Sequence, residues 1–345
     1  MLARQFRPLL EFNVPCHYHS ALALHWLIRV TKQVAHITNL EHGISAIDAD
    51  YPRPLADASH LIVQGGHAAF VDTGINHSVP LLLDALARKD LDRAEVDYVF
   101  LTHVHLDHAG GAGELMQHLP NAKAVIHPRG VRHMIDPSKL VKGAETVYGK
   151  EHYHEAYGEI VPIAEDRIVV VEDEETIDFR GRPMQCIFTE GHARHHYCLS
   201  DPTSKGIFTG DSFGVSYRDL DTANGEFIFP TTTPIHFDPP EAHKAIDRIM
   251  ARQPEALYLT HYSRVTDLLR LAGDMHQRID DLIAIAGKLA NDNNRTSAMH
   301  AAMFSYFAEQ LSEHGYKGDE DRLHAILDLD VMLNTMGIEY WLDNQ

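Results

Sequence analysis

The densest run of chemistry-capable side chains in this 345-residue chain is His103-Val-His105-Leu-Asp107-His108. Imidazole and carboxylate are ligand types for zinc, iron and manganese. On a loop leaving a strand, His103 and His105, two residues apart, converge on one side, while Asp107 and His108 turn toward a neighbouring position. Four such side chains in six residues can therefore serve two adjacent metal ions. The chain carries 26 histidines, nearly as many as its 30 lysines and arginines, which also points to metal chemistry. A short echo reinforces the pattern: Leu101-Thr-His103 and Leu259-Thr-His261 each end an apolar strand in a histidine.

The elements that must position these residues alternate between strand and helix. Short β-like runs fill residues 34–75, and a helix opens with Ser78 and Pro80 and runs through Arg88. A strand over 96–102 feeds the histidine loop. A helix through Leu115 and His118 and a strand over 122–127 follow. Residues 128–165 carry helix and loop signals and suit a cap or pocket wall. Strands return near 167–171, 184–189, 197–200 and 206–209, and a helix over 241–252 precedes a strand at 256–260. From about residue 264 the pattern is helical only, over 265–289, 296–313 and 321–334. This order predicts an α/β layered architecture.

Composition narrows the function. Lys and Arg total 30 against 49 Asp and Glu, a net charge of −19, which disfavours nucleic acid and anionic lipid as partners. The apolar run 21–30 is interrupted by His25 and Arg29, so neither a membrane span nor a signal peptide is expected. Cys16, Cys186 and Cys198 have no paired spacing, so no disulfide framework is predicted and a cytoplasmic location is expected.

Together these motifs resemble the metallo-β-lactamase superfamily, whose metal loop reads His-x-His-x-Asp-His. The resemblance covers about residues 34–263. Asp72-Thr-Gly74 is similar to the strand-end motif that buttresses the metal loop, Gly191-His192 to the next ligand, Thr209-Gly210-Asp211 to the bridging carboxylate and Leu259-Thr-His261 to the last ligand. The resemblance implies a four-layer αββα sandwich over residues 1–263 and a helical C-terminal extension, 264–345, packing on the core or at a homodimer interface. It implies two divalent metal ions, zinc first and iron or manganese next. His103, His105 and His192 would hold one ion, Asp107, His108 and His261 the other, and Asp211 would bridge them. Asp72 would orient ligands from behind, and Asp107 would also orient the nucleophile. Such a pair lowers the pKa of a shared water to give a bridging hydroxide and polarises the scissile group.

Asp211 separates the chain from true β-lactamases, and His105 stands where flavin-linked di-iron members carry glutamate. The acidic charge gives no support to an RNA-processing role. The expected function is therefore hydrolysis of a small-molecule ester, thioester or lactone, close to glyoxalase II-like hydrolases and lactonases. The alternatives are a phosphodiesterase and a metal-retaining regulatory or binding protein. At the second motif this chain reads Gly191-His192-Ala-Arg-His195-His196, and His195 and His196 are expected to pack behind the site or on the surface. Tyr217 and Tyr262 are candidates to assist the carbonyl. Arg129, Arg132, His133, Lys139 and Lys142 could receive an anion, and Phe213, Tyr217, Phe227, Phe229 and His236 could line a pocket.

Overall fold

The computed structural model describes residues 34–345; Cys16 and the apolar run at 21–30 lie outside them. Strand patterning builds two sheets. The first contains β1 (Ile37–Asn39), β2 (Ile44–Asp48), β3 (Ala58–Gln64), β4 (His67–Val71), β5 (Val96–Leu101), β6 (Lys123–Ile126) and β7 (Ile168–Val170), in that spatial order. It is antiparallel from β1 to β4 and parallel from β4 to β7. The second contains β8 (Thr176–Phe179), β9 (Arg182–Phe188), β10 (Tyr197–Asp201), β11 (Gly206–Gly210), β12 (Ala256–Leu259) and β13 (Ser263–Val265), ordered β13-β12-β11-β10-β9-β8. Its β11–β12 pair is parallel, joined by the crossover that contains residues 211–255.

Side-chain alternation assigns the layers, because successive strand residues face opposite sides. Ile62, Phe100, Val125, Leu199, Phe208 and Tyr258 meet between the sheets. Their neighbours Leu61, Val99, Leu101 and Ala124 face outward onto α1 (Val79–Arg88) and onto a short helix pair, α2 (Leu106–Ala109) and α3 (Ala112–His118). On the far side Cys198, Ile207, Leu257 and Leu259 face α7 (Pro239–Met250), α8 (Leu268–Leu289), α9 (Arg295–Glu313) and α10 (Glu320–Asp343). The result is the expected αββα sandwich with C-terminal helices. Helices α4 (Pro128–Ile135), α5 (Ser138–Tyr148) and α6 (Lys150–Tyr157) fill the segment read as a cap.

Several details differ from the sequence reading. Strands β8 and β13 carry no long apolar run and have no counterpart in that reading, since β8 buries only Phe179 fully and β13 is three residues long. Helix α10 continues to Asp343, well past the expected end near 334. Phe213, Phe227 and Phe229 do not line a pocket. All three are fully buried in the core shared with the C-terminal helices, where Phe229 meets Phe307 at 5.2 Å between ring centroids. Among the described residues no helix is long and apolar enough to cross a membrane.

Candidate metal centre

Four of the motifs begin where a strand ends. Asp72 follows β4, Thr102 and His103 follow β5, Asp211 follows β11, and Thr260 and His261 follow β12. The parallel pairs β4–β5 and β11–β12 thus deliver four loops to one edge of the sandwich. His105 precedes α2, whose first turn carries Asp107 and His108. Gly210 has φ +49°, and a Cβ there would lie 2.5 Å from His196 Nε2 and 2.7 Å from Thr102 Oγ1, so only glycine lets the chain turn Asp211 into the site.

The six motif residues of the two expected ligand sets come together, with Asp211 between them. His105 Nδ1 lies 2.8 Å from His103 Nε2 and 3.1 Å from His192 Nε2. On the other side Asp107 Oδ2 lies 3.7 Å from His108 Nε2 and 3.6 Å from His261 Nε2. Asp211 divides its oxygens: Oδ2 is 3.3 Å from His192 Nε2 and 4.0 Å from His103 Nε2, whereas Oδ1 is 3.3 Å from His108 Nε2 and 3.6 Å from His261 Nε2. Three donor groups are compact enough for an ion: His103-His105-His192, His103-His108-Asp211 and Asp107-His108-His261.

Outer hydrogen bonds fix which ring nitrogen points inward. His108 Nδ1 donates to Asp72 Oδ2 at 2.9 Å, His261 Nδ1 to the Ala56 carbonyl at 2.9 Å, and His192 Nδ1 to the Thr231 carbonyl at 3.1 Å. Each leaves Nε2 facing the centre, the orientation metal-ligating histidines need. His103 Nδ1 donates to Thr102 Oγ1 at 3.2 Å, and that hydroxyl donates on to Asp72. Asp72 also accepts from the Thr102 backbone N–H at 2.9 Å and from Thr260 Oγ1 at 2.9 Å.

The electrostatics divide the centre into two halves. Burial lowers His103 well below the ordinary imidazole value, with His108 and His105 adding to the effect, and burial with the neighbouring His192 pushes His105 down to about 3. Burial likewise lowers His192, outweighing the Asp211 carboxylate. Burial thus favours the neutral, lone-pair-bearing form of all three rings. For His261 burial acts downward too, but Asp211 and Asp107 carry it up to about 10. His108 rises well above its ordinary value for the same reason, with Asp211, Asp107 and Asp72 overcoming burial. Burial would raise Asp107 and Asp211, yet His108 and the other facing imidazoles hold both low. The two carboxylates thus favour positive charge at His108 and His261, the places where cations would act. Moreover His108 Nε2 and Asp211 Oδ1 are buried without a hydrogen bond, which is rare for such atoms. The donor set fits divalent ions.

Residues outside the predicted set complete the site. His196 is fully buried beneath Asp211: its Nε2 accepts the Asp211 backbone N–H at 3.1 Å, and its Nδ1 bonds the Thr189 and Ser212 hydroxyls at 2.9 and 3.1 Å. His195 stands beside the first triad, its ring 5.3 Å from His105 and 6.4 Å from His133 of α4. Thr102 and Thr260 were legible as the middle residues of the repeated Leu-Thr-His, although their convergence on Asp72 was not. Asp57, fully buried with both carboxylate oxygens unbonded, had no sequence signal.

Several other candidates have structural partners. Tyr217 and Tyr262 are buried, and the Tyr217 hydroxyl donates to Asp330 of α10 at 3.2 Å. Arg129 pairs with Glu190 at 2.9 Å, and Arg132 Nε donates to His133 Nε2 at 3.2 Å. His236 is half-buried, and Cys186 and Cys198 are buried free thiols pushed up to about 12 by burial.

A two-sheet sandwich flanked by helices, with a histidine-aspartate cluster at the strand ends, defines a fold of the αββα class. Residues 53–261 match the model of the Metallo-beta-lactamase superfamily, and the chain belongs to that superfamily. A metallo-beta-lactamase fold-containing protein, ST1585 of Sulfurisphaera tokodaii, is 30% identical over 202 residues, covering 56% of this chain and 67% of that protein. A hydroxyacylglutathione hydrolase of a Synechococcus species is 29% identical over 145 residues, covering 42% of this chain and 43% of its own length. An atrochrysone carboxyl ACP thioesterase of Aspergillus fumigatus is 25% identical over 155 residues, 45% of this chain and 39% of the relative. The alignments thus span less than half of these two relatives. Among solved structures, the metallo-beta-lactamase family protein TTHA1429 of Thermus thermophilus superposes with a TM-score of 0.62 at 17% identity, covering 88% of this chain and 93% of that one, a likeness of fold.

Proposed function

We propose that the chain is a binuclear metal-dependent hydrolase of a small-molecule ester, thioester or lactone. The observation that carries this reading is Asp211, whose two oxygens face separate histidine groups at 3.3 Å each, His192 on one side and His108 on the other. His103, His105 and His192 would hold one ion, Asp107, His108 and His261 a second, and Asp211 both. When bound, such ions polarise a carbonyl and lower the pKa of water they share, with zinc favoured by the nitrogen-rich donors and iron or manganese compatible.

The protein's own contribution is orientation and charge. Asp72 holds His108 directly and His103 through Thr102, so one buried carboxylate fixes a ligand on each side. Asp107 is partly exposed, at 29% of its side chain, which suits it to orient a nucleophile or take a proton from it. The relatives named as a thioesterase and as a hydroxyacylglutathione hydrolase support a carbonyl-acyl substrate. The chain's net charge of −19 supports a small molecule over a polyanion.

The test is turnover of metal-loaded protein on a nitrophenyl ester, an acyl thioester, a homoserine lactone and bis-nitrophenyl phosphate. Hydrolysis of a carbonyl substrate, lost on chelation and in Asp107→Ala, is expected. Turnover of the phosphodiester alone would replace this reading with a phosphodiesterase. Full metal loading without turnover on any of the four would make the chain a binding protein.

A further inference from the structure

We propose that Asn334, on the last helix and more than a hundred residues beyond the metal loop, is a positioning residue for His192, making α10 a working part of the metal centre. The inference rests on His192 being a metal ligand, as the proposed function has it.

The connection runs through one peptide plane. The Thr231 carbonyl accepts His192 Nδ1–H at 3.1 Å, which leaves His192 Nε2 facing His105 and Asp211. That carbonyl and the Thr232 N–H belong to the same rigid amide unit. The Thr232 N–H donates to Asn334 Oδ1 at 2.8 Å, so the unit is held at one end by His192 and at the other by Asn334. Asn334 Nδ2 donates to the Pro230 carbonyl at 2.9 Å, gripping the preceding peptide as well. The Thr232 hydroxyl adds bonds to the Leu333 and Asn334 carbonyls at 3.2 and 3.3 Å.

The surroundings commit Asn334 to this task. It is fully buried, in a helix whose neighbouring buried residues are mainly apolar, so an amide there needs partners for both its ends. Its two side-chain bonds go to the backbone that flanks Thr231. One turn further on, Gly337 lets the helix approach that loop: a Cβ there would lie 2.3 Å from Thr232 Oγ1 and 2.4 Å from the Thr233 carbonyl. Rotation of the 231–232 peptide would turn the carbonyl away from His192 and release the ring to its other tautomer, in which Nε2 carries a proton and cannot bind an ion.

Zinc affinity measured by chelator competition tests this, with His105→Ala marking which of two steps belongs to the His192 triad. In Asn334→Ala that step should weaken about 10- to 100-fold, the range found when outer partners of ligands are removed, while the other step is unchanged. Thr232→Val, which keeps shape and loses only the hydroxyl bonds, should weaken the same step less, and it decides the matter if Asn334→Ala does not fold. Leu327→Ala, a cavity in the apolar core of α10, should lower the melting temperature without selective loss of either step. Equal weakening of both steps in Asn334→Ala and Leu327→Ala would overturn the proposal, as would unaltered affinity in folded Asn334→Ala. Wild-type protein that takes up no zinc would overturn the underlying reading of the centre and the proposal with it.

Discussion

Replacing Asp72 by Asn tests the logic of the centre without removing any expected ligand. Asp72 has φ +56°, a region asparagine also tolerates, so the backbone need not move. One side-chain oxygen can still accept the Thr102 N–H at 2.9 Å. The new amide group then occupies the place of Oδ2, which accepts from His108 Nδ1 and from the Thr102 and Thr260 hydroxyls. Hydroxyls can rotate and accept instead. His108 cannot keep its proton on Nδ1 against an N–H donor, so its proton shifts to Nε2 and the ring ceases to be a ligand. The lost charge-assisted bond is worth about 1.5–3 kcal/mol, or roughly a 10- to 150-fold loss of affinity for the ion held by Asp107, His108 and His261. Chelator competition on Asp72→Asn, beside thermal melting, measures both affinity and stability. Unchanged affinity on that side, or loss confined to the His103-His105-His192 side, would refute the reasoning.

Three further outcomes follow from the same geometry. His192→Ala should retain one ion fewer per chain than wild type, whereas His195→Ala should retain the wild-type number, read by elemental analysis after dialysis. Gly210→Ala should cost about 2–6 kcal/mol in urea unfolding, combining a left-handed backbone with contacts to His196 and Thr102 that are too close, and should weaken both ions by moving Asp211. The metal-free protein should be most stable near pH 6.5. His105 and His60, lowered to about 3, bind fewer protons folded than unfolded, so their contribution is present above about 6.5 and is lost as pH falls toward 3. His261, raised to about 10, contributes fully below about 6.5 and loses that contribution as pH rises through 10. Metal loading should abolish the alkaline loss, because ions replace the protons; urea midpoints across pH 4.5–10 that are flat, or an alkaline limb unaffected by metal, would contradict this.

The layered architecture was legible because β5 and β11 are short, mostly apolar runs bounded by loop signals, while the C-terminal third reads as long helical stretches. The site was legible because its donors are local motifs at strand ends. What escaped the sequence is what depends on distant pairing. Phe227 and Phe229 read as pocket lining from their place after Asp211, yet α8 and α9 cover them. Thr102 and Thr260 lie 158 positions apart and meet at Asp72 only because β5 and β12 belong to facing sheets. Asp330 and Asn334 look like ordinary polar residues of an amphipathic helix, and only packing shows that they turn inward.

If Asp211 joins two metal ions, the equilibrium metal content of the protein depends on it. Wild-type protein dialysed against low free zinc should hold two ions per chain, and Asp211→Ala should hold fewer, with both remaining affinities reduced. A wild type that binds only one ion, or an Asp211→Ala variant that keeps two at undiminished affinity, would contradict it.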